Sequence, residues 1–403
     1  MKNIVIIGGG QAAIWAAHTL RSEGYEGNIA IISDEKQTFY ERPPLSKQVL
    51  LGEMEHDALQ FFPIETVASL NLTLYKPHRA TKIDVENKQV LLDDGQEVAF
   101  DKLLIATGSQ ARIPVESWKG LPNLFSLRTI DDSLALQTAL PKVDNIAIVG
   151  GGWIGLEIAA SLRKKGKTVT ILELGERLCA RSVSDEVSHF IEALHKEEGV
   201  ELCFECGMLD ITEDLGKLVI SRDGEVWQSF DAVLVGAGAH INKELAVDAG
   251  LEVRDGIVVD HYCQTSHPDI FAAGDVAIHP DLGFCIQSWA NAQNQGVTAA
   301  KAMLDGESKE KYQETPWLWS DQYDCNIQIL GTPVNLENTT VVVRDSGARQ
   351  KSFFYLDQAG KLQYLVSIND ARVVQIAKRW VRAGRVLDPE LLADPEFNVM
   401  SLR

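Results

Sequence analysis

Two stretches of the chain share one order of apolar and small residues. The run Lys2–Ile7 is rich in β-branched residues, a glycine cluster follows it, Ala12–Ser22 is rich in helix formers, and Ile29–Ser33 is apolar again. Short β-branched runs are typical of buried strands, and longer runs of helix formers are typical of helices. The pattern therefore predicts a βαβ unit at the start of the chain.

The same order returns further along. Asn145–Val149 is apolar, a second glycine cluster follows, Leu156–Lys165 is rich in helix formers, and Thr168–Glu173 is apolar. Each βαβ unit needs a parallel sheet that helices cover on both faces. We therefore expect two Rossmann-like dinucleotide-binding domains in this chain.

Four further apolar runs predict strands, of which the first two would each close one dinucleotide-binding half. Phe100–Gly108 and Phe230–Gly238 resemble one another, since each has an acidic residue, an apolar run and a turn of small residues. Gly256–Asp260 is predicted as a strand, and Asp269–Asp275 as a strand that ends in a tight Gly-Asp turn.

The pattern changes after Gln313. Alternating runs at Val341–Arg344 and Ser352–Leu356 predict antiparallel strands, and Asp370–Ala383 predicts a helix. The expected fold class is α/β, with two Rossmann-like domains and a C-terminal α+β domain. The predicted boundaries are 1–110 with 237–312 for the first dinucleotide domain, 111–236 for the second, and 313–403 for the C-terminal domain.

The net charge and the cysteine content limit the expected partners and the expected cellular compartment. The net charge of −19 disfavours duplex DNA or an anionic membrane as the main partner. The six cysteines begin only at Cys179, which favours a reducing compartment, the cytoplasm. Glycines interrupt the apolar stretches Met1–Leu20 and Ile146–Leu162, so we predict neither a signal peptide nor a membrane span.

The first glycine cluster reads Gly8-x-Gly10-x-x-Ala13 and lies between a predicted strand and a predicted helix. A tight turn at Gly8, close backbone approach at Gly10 and a small residue for helix packing at Ala13 suit a pyrophosphate at the helix N-terminus. Asp34 or Glu35, after the second strand, would accept hydrogen bonds from ribose hydroxyls.

The second cluster, Gly150-x-Gly152-x-x-Gly155, has the same context. Glu173 ends the following strand, where a carboxylate accepts from a ribose 2′-hydroxyl and repels a 2′-phosphate. NADH is therefore favoured over NADPH, although Arg177 and Arg181 downstream weaken this preference.

These motifs carry a family resemblance. Together with the turn Ala106–Gly108 (ATG) and the late pair Gly274-Asp275, they resemble flavoproteins of the glutathione-reductase fold. Tyr40–Lys47 (YERPPLSK) and Pro316–Tyr323 (PWLWSDQY) resemble the ferredoxin reductases of aromatic-ring-hydroxylating dioxygenases and bacterial cytochrome monooxygenases. Over the whole chain, the resemblance implies FAD in the first domain, NADH in the second, and single-electron transfer to a [2Fe-2S] ferredoxin.

The resemblance also implies site residues. A lysine near flavin N5, here Lys47, would pair with Glu157, stay charged and orient the nicotinamide. Trp153 is expected either to gate the nicotinamide or to pack in the core, and one of Trp317 and Trp319 to lie near the isoalloxazine. The implied cofactor contacts are Gly8, Gly10, Ala12, Ala13, Asp34, Glu35, Arg42, Lys47, Ala80, Thr107, Gly108, Arg128, Gly150, Gly152, Ile154, Gly155, Glu173, Gly238, Gly274, Asp275, Trp289 and Trp319. Of these, the resemblance assigns Ala12, Asp34, Lys47, Ala80, Arg128, Asp275 and Trp289 to FAD.

Missing residues point to the type of reaction. Disulfide reductases, peroxidases and oxidases of this fold carry a redox cysteine soon after the first βαβ unit, and no cysteine precedes Cys179. We therefore expect electrons to leave directly from the flavin. Cys203 and Cys206 form a C-x-x-C, but Glu201–Cys206 alternates like a strand and would point them to opposite faces, so they are expected to be structural.

Two features leave alternatives open. Gln287 stands where relatives commonly carry glutamate, so a role that needs a negative charge is lost there. A basic group lies within and after the last predicted helix, and Lys378, Arg382 and Arg385 recur in it at i, i+4 and i+7, so on a helix they would share one face. The group is either a solvated face or a docking patch for an acidic ferredoxin. Its members are Arg372, Lys378, Arg379, Arg382 and Arg385.

Two other functions fit many of the same motifs. A rubredoxin or monodehydroascorbate reductase of this fold would share nearly all the residues. A flavin-binding interaction protein that resembles apoptosis-inducing factor would respond to NADH by changing its conformation or oligomeric state.

Overall fold

The computed structural model describes residues 1–37, 39–304, 309–334 and 336–402. The chain forms two compact units, each built from separate segments. The first unit comprises Met1–Arg42, His56–Gln110 and Ala239–Pro316, and the second comprises Pro43–Glu55, Ala111–Gly238 and Trp317–Arg403. Pro43–Glu55, which the sequence boundaries placed in the first dinucleotide domain, packs in the second unit. The division into three domains stays a prediction.

The strands of the first half of the chain are short. They are β1 (Asn3–Ile7), β2 (Asn28–Ile32), β3 (Leu72–Tyr75), β4 (Ala80–Asp84), β5 (Gln89–Leu92), β6 (Glu97–Ala99), β7 (Lys102–Ile105), β8 (Ser109–Ala111), β9 (Leu124–Phe125), β10 (Asn145–Val149), β11 (Thr168–Leu172) and β12 (Glu201–Cys203).

The strands of the second half are longer towards the C-terminus. They are β13 (Leu209–Asp214), β14 (Lys217–Arg222), β15 (Glu225–Phe230), β16 (Ala232–Val235), β17 (Ala239–Ile241), β18 (Ile270–Ala272), β19 (Trp317–Gln322), β20 (Cys325–Gly331), β21 (Thr340–Gly347), β22 (Gln350–Leu356) and β23 (Leu362–Ile368).

The helices separate these strands. They are α1 (Gln11–Ser22), α2 (Gln48–Leu51), α3 (Ile64–Ser69), α4 (Ile130–Ala139), α5 (Trp153–Lys164), α6 (Asp185–Glu197), α7 (Glu244–Asp248), α8 (Trp289–Met303), α9 (Ala371–Ala383) and α10 (Pro389–Ala393).

The first unit is built on a parallel sheet in the order β18-β7-β1-β2-β3. Its central strands carry isoleucines and leucines that are almost completely buried, as expected where both faces of a sheet are covered. Helix α8 crosses α1 closely at Gly296, where a Cβ would lie 2.4 Å from the carbonyl oxygen of Ala12. Only glycine permits this approach, which fixes the helices on one face of the sheet.

The second unit repeats this architecture and adds an antiparallel sheet. Its parallel sheet has the order β12-β11-β10-β16-β9. The C-terminal sheet has the order β19-β20-β23-β22-β21, with every neighbouring pair antiparallel. Helix α9 packs on it through Val373, Val374, Ala377 and Trp380. The predicted fold class, two Rossmann-like units and a C-terminal α+β part, is confirmed.

Two local predictions are wrong. Gly256–Asp260 is not a strand, because Ile257 makes only isolated bridges to Val253 and Ala277. The strand expected over Glu201–Cys206 ends at Cys203. The argument that alternation separates Cys203 from Cys206 therefore fails, although both thiols are free, as are all the cysteines of the described residues.

Within the described part of the chain, no helix has both the length and the apolar composition that a bilayer crossing requires.

Candidate functional site

The first glycine turn is tight at Gly8 and open at Gly10, which lies at the N-terminus of α1. Gly8 has a φ of +123°, and a Cβ on it would lie 2.1 Å from the carbonyl oxygen of Ala106, so only glycine fits. A Cβ on Gly10 would meet no atom within 4 Å. Gly10 caps α1 without a side-chain hydrogen bond. The N–H groups of the first turn are therefore available to an anion.

The second glycine turn has the same geometry at the N-terminus of α5. Gly150 has a φ of +109°, and a Cβ there would lie 2.5 Å from the carbonyl oxygen of Gly236. Gly152 has open space around it and caps α5 without a side-chain hydrogen bond. A Cβ on Gly155 would lie 2.4 Å from the carbonyl oxygen of Gly150, which explains the close packing of helix on strand. The two units thus have equivalent glycine turns, each open at a helix N-terminus.

The acidic residues after β2 differ in their surroundings. Asp34 is exposed. Glu35 accepts hydrogen bonds from Tyr40 and, at 2.6 Å, from Arg42. The Glu35 carboxylate is therefore held in place, whereas the Asp34 carboxylate faces solvent, and the structure does not select one of them as the ribose ligand.

The carboxylate of Glu173 is held at the edge of the second glycine turn. One oxygen accepts from the N–H of Gly151 at 2.7 Å, and the other accepts from the N–H of Gly175 at 2.8 Å. Each oxygen retains a lone pair for a further donor. Arg177 points elsewhere, because it pairs with Asp185 at 2.9 Å and donates to the carbonyl of Val183.

Three residues of the first unit's predicted site, Thr107, Gly274 and Asp275, are held by polar partners that the motifs did not reveal. Asp275 is buried and accepts a hydrogen bond from Ser109 at 2.8 Å. The N–H of Gly274 donates to Gln295 at 2.9 Å. Thr107 donates to the carbonyl oxygen of Asn242, whose amide donates back to the Thr107 carbonyl. Gln295 and Asn242 lie far from the motifs in sequence, and no local pattern marks them.

Several buried polar atoms lack a partner within the described residues, and this tests whether a dinucleotide fits. In the first unit, they include the amide oxygens of Gln11, in the first turn of α1, and of Gln293, in the first turns of α8. In the second unit, the indole N–H of Trp153 at the start of α5 is such an atom. Since buried polar groups are normally hydrogen-bonded, the two amide oxygens can accept from cofactor hydroxyl or amide groups, and the indole N–H can donate to a cofactor oxygen. FAD and NADH fit these residues.

A buried ion pair forms the centre of the second unit's candidate site. The Nζ atom of Lys47 lies 3.2 Å from Oε1 of Glu157 and 3.3 Å from Oδ2 of Asp321. Ser46 and Ser320 also donate hydrogen bonds to Glu157. Burial raises the pKa of Glu157, while the Lys47 charge and the two serine hydroxyls act against this rise. The predicted pairing of Lys47 with Glu157 is present, and its catalytic role stays a prediction.

Aromatic rings extend from this pair. The Nζ atom of Lys47 lies 5.9 Å from the ring centre of Trp319, which stacks on Trp317 at 5.2 Å. On the other side, the Nζ atom of Lys378 lies 4.0 Å from the ring centre of Trp317. Both indole rings therefore lie between the buried ion pair and helix α9.

Fewer basic residues share the exposed face of α9 than the sequence indicated. Arg372, Arg379 and Arg382 are exposed along α9. The helix ends at Ala383, and the following Gly384 is left-handed. Arg385 therefore does not continue the face, which corrects the prediction that it shares a helical face with Lys378 and Arg382.

The residue that departs from the family pattern lies beside a helix cap. Gln287 is exposed, and Ser288 caps α8 by accepting from the N–H of Asn291. Helix capping therefore does not depend on Gln287.

The predicted contacts divide between the units. The first unit contains Gly8, Gly10, Ala12, Ala13, Asp34, Glu35, Arg42, Ala80, Thr107, Gly108, Gly274, Asp275 and Trp289. The second contains Lys47, Arg128, Gly150, Gly152, Ile154, Gly155, Glu157, Glu173, Gly238 and Trp319. Lys47 and Arg128, both assigned to FAD by the resemblance, thus belong to the same unit as the residues assigned to NADH.

Comparisons with known proteins agree over the whole chain. Residues 2–296 match the family model described as pyridine nucleotide-disulphide oxidoreductase, and residues 317–403 match a reductase C-terminal model. The ferredoxin--NAD(+) reductase component of the p-cumate 2,3-dioxygenase system of Pseudomonas putida is 35% identical, over 98% of this chain and 97% of its own length.

Two solved structures extend this agreement. The ferredoxin reductase for the CYP199A2 system from Rhodopseudomonas palustris is 34% identical, has a TM-score of 0.92, and matches over 100% of both chains. A putidaredoxin reductase, solved as a covalent complex with putidaredoxin, is 32% identical with a TM-score of 0.89, over 98% of this chain and 96% of its own.

Proposed function

Because the chain belongs to the pyridine nucleotide-disulphide oxidoreductase family, we propose that it is the reductase that carries electrons from NADH to the ferredoxin of an oxygenase system. The chain is an oxidoreductase that uses FAD and NAD(H), and the resemblance to ferredoxin reductases is confirmed over its full length. When bound, FAD accepts a hydride and releases electrons one at a time. The observation that carries the proposal is the pair of open glycine turns, one in each unit, at which two dinucleotides can bind.

The first unit supplies the FAD site in this proposal. The free N–H groups of α1 bind the pyrophosphate, and Gly10 leaves room for it. The buried carboxylate of Asp275 accepts from the ribityl hydroxyls while Ser109 holds it in position. The unpartnered amide oxygens of Gln11 and Gln293 accept from cofactor donors.

The second unit supplies the NADH site. The N–H groups of α5 bind the pyrophosphate next to Gly152. Two backbone N–H groups fix Glu173, so its carboxylate is positioned to accept from a ribose 2′-hydroxyl and to repel a 2′-phosphate. Since Asp185 and a backbone carbonyl engage Arg177, that arginine is turned away from a 2′-phosphate. This arrangement supports NADH, rather than NADPH, as the hydride donor.

Lys47 and Glu157 act as a unit in the proposed reaction. Glu157 restricts the position of the Lys47 ammonium, which pairs with two carboxylates, Glu157 and Asp321. The family resemblance gives this lysine a place near flavin N5, where its positive charge would stabilise the negative charge that a bound flavin gains on reduction.

Helix α9 is the proposed docking surface for the ferredoxin, which we expect to be an acidic [2Fe-2S] protein. Arg372, Arg379 and Arg382 form an exposed positive face on a chain with a net charge of −19. Lys378 links this face to the stacked pair Trp317 and Trp319. Local attraction of this kind accelerates encounter and weakens with salt.

Acceptor profiling tests the proposal. The purified holoenzyme is given NADH and, separately, a [2Fe-2S] ferredoxin, a rubredoxin and monodehydroascorbate. The proposal predicts rapid reduction of ferredoxin alone. Rapid turnover with either other acceptor would assign the chain to that reductase, and slow turnover with all three, with an NADH-dependent change in mass, would indicate an interaction protein.

We place the reaction in the cytoplasm because the cysteines are few and free.

A further inference from the structure

A line of hydrogen bonds leads from the buried ion pair to a buried imidazole in the second unit. Oγ of Ser320 lies 2.7 Å from Oε1 of Glu157, and Nε2 of Gln322 lies 3.1 Å from Oγ of Ser320. Nε2 of His195 lies 2.9 Å from Oε1 of Gln322, and the Tyr323 hydroxyl lies 3.2 Å from Nδ1 of His195. Ser320, Gln322 and His195 have an exposed fraction of 0%.

The chemistry of each group gives this line a direction. The amide nitrogen of Gln322 can only donate, so the single proton of the Ser320 hydroxyl is left for Glu157. The amide oxygen of Gln322 accepts the Nε2 proton of His195, which leaves Nδ1 to accept from Tyr323. If the amide were reversed, its oxygen would take the Ser320 proton and leave Glu157 with one donor fewer.

The strand β19 places these groups. Side chains alternate along a strand, so Ser320 and Gln322 share one face while Trp319 and Asp321 share the other. The burial pattern along β19 agrees, because Ser320 and Gln322 are buried and Trp319 and Asp321 are half-buried. The sequence WSDQ thus places the hydrogen-bonded line on one face and the ring and the carboxylate that contact Lys47 on the other.

Apart from the ion pair, the line is neutral near pH 7. Burial lowers the pKa of His195 to about 4, and burial raises the pKa of Tyr323. Lys47 and Cys179 face Glu157, Asp321 pairs with the other side of the Lys47 ammonium, and Glu198 faces His195. Glu157 is therefore the carboxylate at which the donors converge.

We propose that Gln322, held by His195, is a positioning residue that directs the Ser320 proton to Glu157 and so keeps Glu157 ionised opposite Lys47. Its link to hydride transfer rests on the proposed function. Neither residue belongs to a glycine motif, and both act through Ser320 and Glu157.

The test measures the protonation of Glu157 directly in the FAD-loaded protein. Infrared spectra recorded against pH detect the carbonyl band of a protonated carboxyl, and subtraction of the Glu157→Gln spectrum assigns that band to Glu157. Gln322→Met keeps the side-chain volume and removes both polar groups. Ser352→Ala is the matched control, since Ser352 lies buried in the same sheet and bonds to Ser367 at 2.8 Å.

The inference predicts that Gln322→Met protonates Glu157 at a higher pH than the wild type does, whereas Ser352→Ala titrates like the wild type. The acid limb of flavin reduction by NADH should move in the same direction. If Gln322→Met does not fold, His195→Phe is the second variant, because without the imidazole the Gln322 amide is free to reverse, and its oxygen then takes the Ser320 proton and should also raise the protonation pH. An unchanged Glu157 titration in a folded variant overturns the inference.

Failure of the two proposals can be told apart. If the wild type reduces ferredoxin but Glu157 is protonated at the same pH in the Gln322 variant as in the wild type, the inference falls and the proposed function stands. If the titration moves but no ferredoxin is reduced, the positioning of Glu157 stands and the proposed function falls.

Discussion

Lys47 and Glu157 form an ion pair at 3.2 Å in which the side chains expose only 9% and 6% of their surface. A buried ion pair is stable only when further hydrogen bonds satisfy both charges, and removal of one partner leaves the other uncompensated. Here Ser46 and Ser320 supply two of these bonds to Glu157. The stability of the protein should therefore be sensitive to the loss of either member of this pair.

Substitution Glu157→Gln should destabilise the protein and slow flavin reduction. Lys47 would keep Asp321 as its remaining carboxylate partner, so we expect a loss of about 3 kcal/mol in unfolding free energy. The rate of flavin reduction by NADH should fall at least about tenfold. Denaturant unfolding and stopped-flow absorbance measure the two effects. Glu192→Gln, which removes a surface pair with Lys196, is the control and should change neither.

Substitution of the two open glycines, Gly10 and Gly152, should affect the binding of FAD and of NADH separately. In Gly10→Ala the new methyl meets no protein atom within 4 Å, so the fold should persist while FAD retention falls. Gly152→Ala should keep its flavin and raise the KM for NADH, for the same reason. Flavin absorbance after gel filtration and steady-state kinetics give the readouts. Equal flavin content in both variants would contradict this assignment of the two sites.

Glu173→Ala should weaken the preference for NADH. The variant loses the carboxylate that the N–H groups of Gly151 and Gly175 hold, and we expect the ratio of kcat/KM for NADH over NADPH to fall about tenfold. Glu176→Ala, an exposed neighbour, is the control. A ratio that stays at the wild-type value in Glu173→Ala would show that other groups set the preference.

Charge reversal on α9 should affect ferredoxin alone. Arg382→Glu is expected to raise the KM for ferredoxin about tenfold at low salt while reduction of ferricyanide stays unchanged. The effect should shrink as salt is added, because exposed charges are screened. Lys82→Glu, an exposed reversal in the first unit, is the control for net charge. An equal loss with both acceptors would exclude α9 as the docking surface.

His195 should make the second unit less stable in mild acid. Burial lowers its pKa from 6.5 to about 4. Below pH 6.5 the unfolded chain therefore gains a proton that the folded chain does not, and stability falls until about pH 4. This histidine should account for a loss of about 2 kcal/mol between pH 7 and pH 4.5.

Paired unfolding measurements isolate this contribution. His195→Gln should show a smaller loss of stability between the two pH values than the wild type does. His189→Gln, on the same helix but exposed, should keep the full loss. Identical pH dependence in all three proteins would show that His195 does not remain neutral in the folded state.

The sequence predicted what local pattern determines. Gly8 and Gly150 occupy positions that no other residue can, and the strands and helices beside them lie within a few residues of their predicted bounds. The pattern could not show that Ile257 makes only bridges, because a short apolar run is compatible with a strand whether or not neighbours pair with it. Arg385 was misplaced for a related reason, since the left-handed Gly384 ends the helix before it.

Hydrogen bonds between segments that are far apart in the chain could not be predicted from the sequence. Gln322 and His195 are 127 residues apart, and their bond depends on how β19 packs beside α6. Gln295 reaches Gly274 only because α8 begins next to that turn. No periodicity or motif in one sequence marks such pairs, since each residue alone has the pattern of an ordinary buried position.

The central claim is that electrons pass from NADH through FAD to a ferredoxin. The most direct measurement is an anaerobic NADH titration of the purified protein, followed by cytochrome c reduction with and without a [2Fe-2S] ferredoxin. We predict that NADH bleaches a flavin spectrum and that cytochrome c is reduced rapidly only when ferredoxin is present. A protein that binds no flavin after reconstitution, or a flavin that bleaches while ferredoxin stays oxidised, would contradict the account.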